Sequence, residues 1–254
     1  MCLKRIVLFS TQDEFYTILT IKKLFSLRFK PCNIFLVVCE ASNFMLDFCK
    51  NYKIFLYQYK TNEALEVFLK EKVKKVDFIL SIVNRIIIKD EILNICQKAA
   101  INLHPGLLPQ YKGFFSTVNS IINDEKELGY TYHHITTQID SGNILLQKKF
   151  KINQNDNAFT LYHKLLQDAI FNLGKVLKNS TQLGEKQNGA GTYYKKILPY
   201  NGQINPLWSK KKINNFIRAM FFPPYKSAFV KIKGKKYFVD TFEEYQTTIK
   251  ENED

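Results

Sequence analysis

The sequence predicts a doubly wound α/β fold, and two observations predict it. Through the first hundred residues, short apolar runs rich in Val, Ile, Leu and Phe alternate with stretches whose apolar residues recur at helical spacing. The runs are apolar at consecutive positions, so both faces of each strand are covered, which is the condition of a parallel sheet flanked by helices. In order, residues 4–9 (KRIVLF) read as a strand and 14–27 as its helix, then 34–39 (IFLVVC) and 43–51, 54–59 and 62–72, 77–83 (DFILSIV) and 89–98. A fifth strand at 100–104 runs into Pro105. A helix at 115–123, strands at 130–135 and 143–149 and a long helix at 158–177 complete a first domain of residues 1–178. Residues 179–192 (NSTQLGEKQNGAGT) are polar and glycine-rich and read as a linker. Residues 193–254 read as a small α+β subdomain, with a helix at 210–220 and a closing β-hairpin at 228–239 that turns at Lys233-Gly234.

A chain of 254 residues, 46% hydrophobic, has material for one or two domains of about 150 residues and needs no disulfide staples. The five cysteines (Cys2, Cys32, Cys39, Cys49, Cys96) lie in apolar surroundings without a C-x-x-C pair or a zinc-ligand spacing, and read as buried thiols in a reducing cytoplasm. Gln12, Asp13 and Glu14 interrupt the apolar start before it can make a signal peptide. No run reaches the length of a membrane span, so no membrane partner is expected. The net charge of +14 comes from 33 lysines and only four arginines, in a chain equally heavy in Asn, Ile and Phe. All are residues with A/T-rich codons, so the charge reads as a solvated lysine-rich surface, and no nucleic-acid partner is expected.

An open parallel sheet binds its ligands beyond the carboxyl ends of its strands. The first strand ends in Ser10-Thr11-Gln12 without G-x-G-x-x-G, which argues against a nicotinamide dinucleotide. The fifth ends in Asn102-Leu103-His104-Pro105, and on an extended segment Asn102 and His104 point to the same side, an amide donor beside an imidazole. Downstream, Asp140-Ser141-Gly142 is a turn signature ahead of a new strand; folded back over the strand end, Asp140 pairs with His104 and holds its tautomer. His133 and His134 face opposite ways on a predicted strand and His163 stands alone on a helix, so these three read as structural.

The string N-x-H-P-x-L-L-P-x-Y-K-G from Asn102 to Gly113, followed by D-S-G-x-I-L from Asp140 to Leu145, closely resembles the formyltransferase family, strongly over residues 77–149 and more loosely elsewhere. The resemblance implies a Rossmann-like domain, transfer of a formyl group from N10-formyltetrahydrofolate to an amine without a metal, and Asn102, His104 and Asp140 as the catalytic trio. One departure is Gly106, where many members have Ser. It also implies that the pterin lies against Asn84, Arg85, Ile86, Ile87 and Ile88 and against the loop 135–140 through Ile135, Thr136 and Gln138. An apolar run with backbone donors and acceptors is a suitable slot for a flat heterocycle. Whether His104 or Asp140 takes the amine's proton stays open at this level.

Members acting on glycinamide ribonucleotide carry a glycine-rich loop after the first strand, absent from Phe9-Ser10-Thr11-Gln12. Methionyl-tRNA formyltransferases carry a larger C-terminal barrel than the 62 residues after the linker allow. The C-terminal segment, with Asn201-Gly202-Gln203-Ile204, Trp208, Ile217-Arg218-Ala219 and Phe221-Phe222-Pro223-Pro224-Tyr225, looks like that of enzymes formylating amino sugars on nucleotide carriers. That likeness implies a dTDP-linked 4-amino-4,6-dideoxyhexose as substrate, in the cytoplasmic synthesis of a bacterial surface polysaccharide such as O-antigen. Phe222 and Tyr225 are then candidates for stacking on the base, with Ser10, Lys112 and Trp208 as further substrate contacts. A homodimer through the hairpin 229–238 is expected. A methionyl-tRNA formyltransferase-like enzyme and a non-catalytic folate- or RNA-binding relative remain the alternatives.

Overall fold

A computed structural model describes residues 4–10, 14–84 and 86–252. Its elements in chain order are β1 (Ile6–Ser10), α1 (Glu14–Ser26), β2 (Ile34–Val38), α2 (Asn43–Tyr52), β3 (Phe55–Gln58), α3 (Asn62–Phe68), β4 (Val76–Ile82), α4 (Asp90–Leu93), β5 (Cys96–His104), β6 (Lys112–Gly113), α5 (Ser116–Ile122), β7 (Glu127–His134), β8 (Ile144–Lys151), α6 (Ala158–Asn179), β9 (Tyr193–Tyr194), α7 (Lys210–Met220), β10 (Ala228–Ile232), β11 (Lys235–Val239) and α8 (Phe242–Asn252). Seven strands form one sheet in the order β3-β2-β1-β4-β5-β7-β8. The first five are parallel to their neighbours and β7 is antiparallel to β5. The α/β architecture expected from the apolar runs is the one observed.

The local reasons are legible. All five residues of β1 are buried, as a central strand covered on both faces requires. Ser42, Thr61 and Ser209 cap α2, α3 and α7 by accepting the backbone N–H three residues on, which satisfies one orphan donor of each first turn. The hairpin β10-β11 turns through Lys233 and Gly234, both at positive φ, the conformation a tight two-residue hairpin needs.

The chain divides into two compact units. The first comprises Met1–His104, Thr131–Gln147 and Leu166–Asn188, and the second Pro105–Tyr130, Lys148–Leu165 and Gly189–Asp254. In the second unit, Arg218 of α7 donates to the carbonyls of Asn153 and Asp156, and Asp124 takes bonds from Lys211, Asn215 and Lys126. These cations and the amide hold the Asp124 carboxyl well below the usual range.

Three expectations are corrected. The predicted helix 89–98 shrinks to the single turn α4, because Cys96 and Ala99 pair with β4 and extend β5 backwards to nine residues. Helix α8 lies beyond the hairpin expected to close the chain. Its marker is a capping box, in which Thr241 Oγ1 accepts the Glu244 N–H and the Glu244 carboxylate accepts the Thr241 N–H. The cysteines are not uniformly buried: Cys49 is, and burial pushes its thiol up to about 11, but Cys32 and Cys39 are exposed. Cys32 precedes β2 and Cys39 follows it, outside the covered stretch, while Cys2 lies outside the described residues. Among the described residues no helix is long and apolar enough to cross a membrane.

Leu8, fully buried in β1 between β2 and β4, is a direct test of this core. Leu8→Ala should cost about 2 to 5 kcal/mol, read as a lower urea midpoint at unchanged slope.

Candidate active site

Three adjacent strands of the first unit place one polar side chain each in a single row. Ser81 of β4 is in register with Asn102 of β5, and Asn102 with His133 of β7, so all three lie on the same side of the sheet. Ser81 Oγ donates to Asn102 Oδ1 at 2.7 Å, which turns the amide nitrogen the other way. That nitrogen meets His133 Nε2 at 3.1 Å and donates to Asp140 Oδ1 at 3.5 Å. His133 Nδ1 lies 2.8 Å from the carbonyl of His134. A carbonyl only accepts, so Nδ1 carries the proton, and Nε2 is left to accept from Asn102.

His104, two residues beyond Asn102, points to the same side, as the strand period dictates. Its Nδ1 lies 3.4 Å from Asp140 Oδ2, and His133 Nε2 lies 3.4 Å from Asp140 Oδ1, so the carboxylate stands between two imidazoles. All three are well buried, at 4%, 3% and 9% side-chain exposure. Asp140 itself sits at φ 50°, a left-handed conformation that Asp tolerates better than most residues. Gly142 is obligatory for a different reason: a Cβ there would lie 1.8 Å from the His134 carbonyl oxygen, the atom that anchors His133.

The two loops expected to border a flat ligand share one apolar floor. Ile86, Ile88 and Ile135 pack on the cluster that includes Val7, Ile79 and Ile92, while Ile87 is 58% exposed. The Asn84 side chain brackets Ile86, donating to its carbonyl and accepting from its N–H, which fixes the loop and engages both backbone groups of that residue. Thr136 Oγ1 donates to the Gln138 carbonyl, and both residues are exposed. Arg85 lies outside the described residues.

The remaining candidates are placed as follows. Ser10 is buried at the end of β1 and hydrogen-bonded to Thr17 of α1. In the second unit, Lys112 belongs to β6, paired with β9. Trp208 packs edge-on against Tyr200 and Phe216 under the ammonium of Lys212. Phe222 is wedged among Phe159, Tyr162 and His163, and Tyr225 beside it is 66% exposed. Ser81 and His133 were not anticipated from the sequence. A lone Ser inside the apolar run DFILSIV was the signal for the first; the second is found only by knowing the strand pairing. Among the described residues there is no cluster of His, Cys, Asp and Glu suited to a metal ion.

Residues 28–176 match the family model described as formyl transferase. Over 176 residues, 68% of this chain and 68% of the relative, the sequence is 40% identical to a GDP-perosamine N-formyltransferase of Brucella melitensis biotype 1. The fold resembles that of a 4-N formyltransferase from Francisella tularensis, with a TM-score of 0.73 and 24% identity over 93% of this chain and 96% of that one. It also resembles an N-formyltransferase from Helicobacter canadensis solved with folinic acid and dTDP-3-aminofucose, with a TM-score of 0.72 and 24% identity over 92% and 86%.

Ser81→Ala removes the bond that aims the Asn102 amide. Turnover should fall about tenfold or more through misplacement, with a stability loss of only about 1 kcal/mol, checked by steady-state kinetics beside a urea melt.

Proposed function

The chain belongs to the formyl transferase family, and from that premise we propose that it moves a formyl group from N10-formyltetrahydrofolate to the amine of a nucleotide-linked 4-amino-4,6-dideoxyhexose. One observation carries the chemistry: the Asp140 carboxylate held between His104 and His133, with the Asn102 amide beside it. The folate supplies the formyl group. Residues 84, 86–88 and 135–140 are the slot this reading gives it, with Ile86 and Ile135 as partly buried apolar floor and Ile87 exposed beside Ile86.

The residues divide the work by their chemistry. Amine attack on a carbonyl carbon puts negative charge on the carbonyl oxygen and leaves a proton on the nitrogen. The Asn102 amide, fixed by Ser81, is a donor for the charge through the N–H of its long 3.5 Å contact with Asp140, which turns to the oxyanion as it forms. The proton would pass to the Asp140–His104 pair, in which the carboxylate orients Nδ1 and makes Nε2 the exchanging atom, and the pair would return it to the folate nitrogen as the formyl C–N10 bond breaks and tetrahydrofolate leaves. His133 Nε2 accepts from the amide and steadies it.

The nucleotide expected from the sequence is dTDP, but the relative at 40% identity is named for a GDP-linked sugar, and GDP-perosamine is therefore the first acceptor in this reading. The dTDP-linked sugar stands second, on the resemblance of the C-terminal segment. Tyr225, exposed on its Pro-Pro turn, is the aromatic suited to stack on a base; Phe222 supports it, and Ser10, Lys112 and Trp208 are the further substrate candidates. The same reading has residues 1–178 as catalytic domain, 179–192 as linker and 193–254 as subdomain. It places the enzyme in the cytoplasm of a bacterium making a surface polysaccharide such as O-antigen, as a homodimer through the hairpin 229–238.

Incubation with N10-formyltetrahydrofolate and a panel of GDP- and dTDP-linked amino sugars, followed by mass spectrometry, should show one added formyl group on a single 4-amino sugar. His104→Ala and Asp140→Ala should each lower the rate by about 100-fold or more. Near-normal rates in both would overturn the assignment of the trio.

A further inference from the structure

The stretch that reads as a linker is zipped along the Asp140 loop. Ile144 and Glu185 exchange backbone hydrogen bonds of 2.7 and 2.8 Å. Asn143 Nδ2 donates to the Leu183 carbonyl, and His134 Nε2 lies 3.0 Å from that of Gln182. At its end, Gln187 Nε2 donates to the carbonyls of both Asp140 (2.9 Å) and Gly142 (2.8 Å).

Carbonyls accept and never donate, so Gln187 must present its NH2 to both; a flipped amide would set three oxygens against one another. That orientation leaves Gln187 Oε1 buried with no hydrogen-bond partner among the described residues. A buried acceptor without a partner is unfavourable, so the amide is held this way by the two carbonyls it grips. Those carbonyls flank a turn whose first residue, Asp140, is in the left-handed region.

We propose that Gln187 is a positioning residue for Asp140. By clamping the carbonyls at both ends of the 140–142 turn, it fixes the direction in which the carboxylate leaves the backbone, toward His104 and His133. This rests on the reading of Asp140 as the carboxylate that orients His104 to take the amine's proton. The glutamine lies 47 residues along the chain from the aspartate it serves.

Gln187→Met keeps length and volume but has no donor, and Gln187→Glu sets a carboxylate against both carbonyls. A crystal structure of Gln187→Met should show the 140–142 turn displaced by about 1 Å, and this needs no acceptor substrate. With N10-formyltetrahydrofolate and GDP-perosamine, kcat should fall about tenfold or more while both KM values stay within about twofold. Gln187→Glu should lose more. A Gln187→Met turn that superposes on the native one, or a loss carried by KM alone, overturns the proposal. Asp140→Asn, measured alongside, separates the premises. If it is inactive while Gln187→Met keeps its kcat, the positioning role alone fails; if it turns over normally, the reading of Asp140 fails and takes the positioning role with it.

Discussion

The site exists only if three strands agree in register. Side chains alternate across a sheet, so a slip of one residue between β5 and β7 would bring His134 opposite Asn102 and turn His133 to the other side. The pairing of β4 with β5 is constrained in the same way, because Ser81 is the residue that orients the Asn102 amide. Burial supplies the constraint. Leu80, Ile82, Ile101 and Leu103, the chain neighbours of Ser81 and Asn102, are almost wholly buried on the opposite face, and a slip of one residue would drive them into the polar row. The hydrophobic core thus fixes the polar row.

Asp140 reaches the row by another route. It comes from a turn rather than a strand, and a turn has no ladder to fix it. What fixes it is close packing from behind. Gly142 lies where a Cβ would collide with the His134 carbonyl, so the turn can approach β7 closely only because residue 142 is glycine. The same carbonyl accepts from His133 Nδ1, so one backbone atom limits the position of the loop and sets the tautomer of the imidazole facing it. Two features that look separate in the sequence, D-S-G and His133-His134, are one piece of packing.

How much of this could be read beforehand follows from the range of each interaction. The strand period put Asn102 and His104 on one side, and the apolar runs located β1 to β4 within a residue or two, because both signals are local. The helix assigned to 89–98 failed where a long-range interaction overrode local periodicity: β4 captured residues 96–99 as strand. His133 was legible as a residue but not as a member of the site, since its place depends on an antiparallel pairing across 31 residues. Helix α8 was legible in principle, its Thr241-x-x-Glu244 box standing in plain sight; it buries little beyond Tyr245, and an apolar-period reading passes over such a helix.

The electrostatics of the cluster also set what it is good for. A carboxylate at 9% exposure has lost most of its water, and a buried charge is costly unless its partners replace that water. The Asn102 amide and the His104 imidazole are among these partners. A tightly bonded carboxylate would be a poor proton acceptor, because accepting would break strong bonds. In the proposed mechanism the carboxylate therefore orients His104, and the other ring nitrogen of that imidazole, Nε2, exchanges the proton.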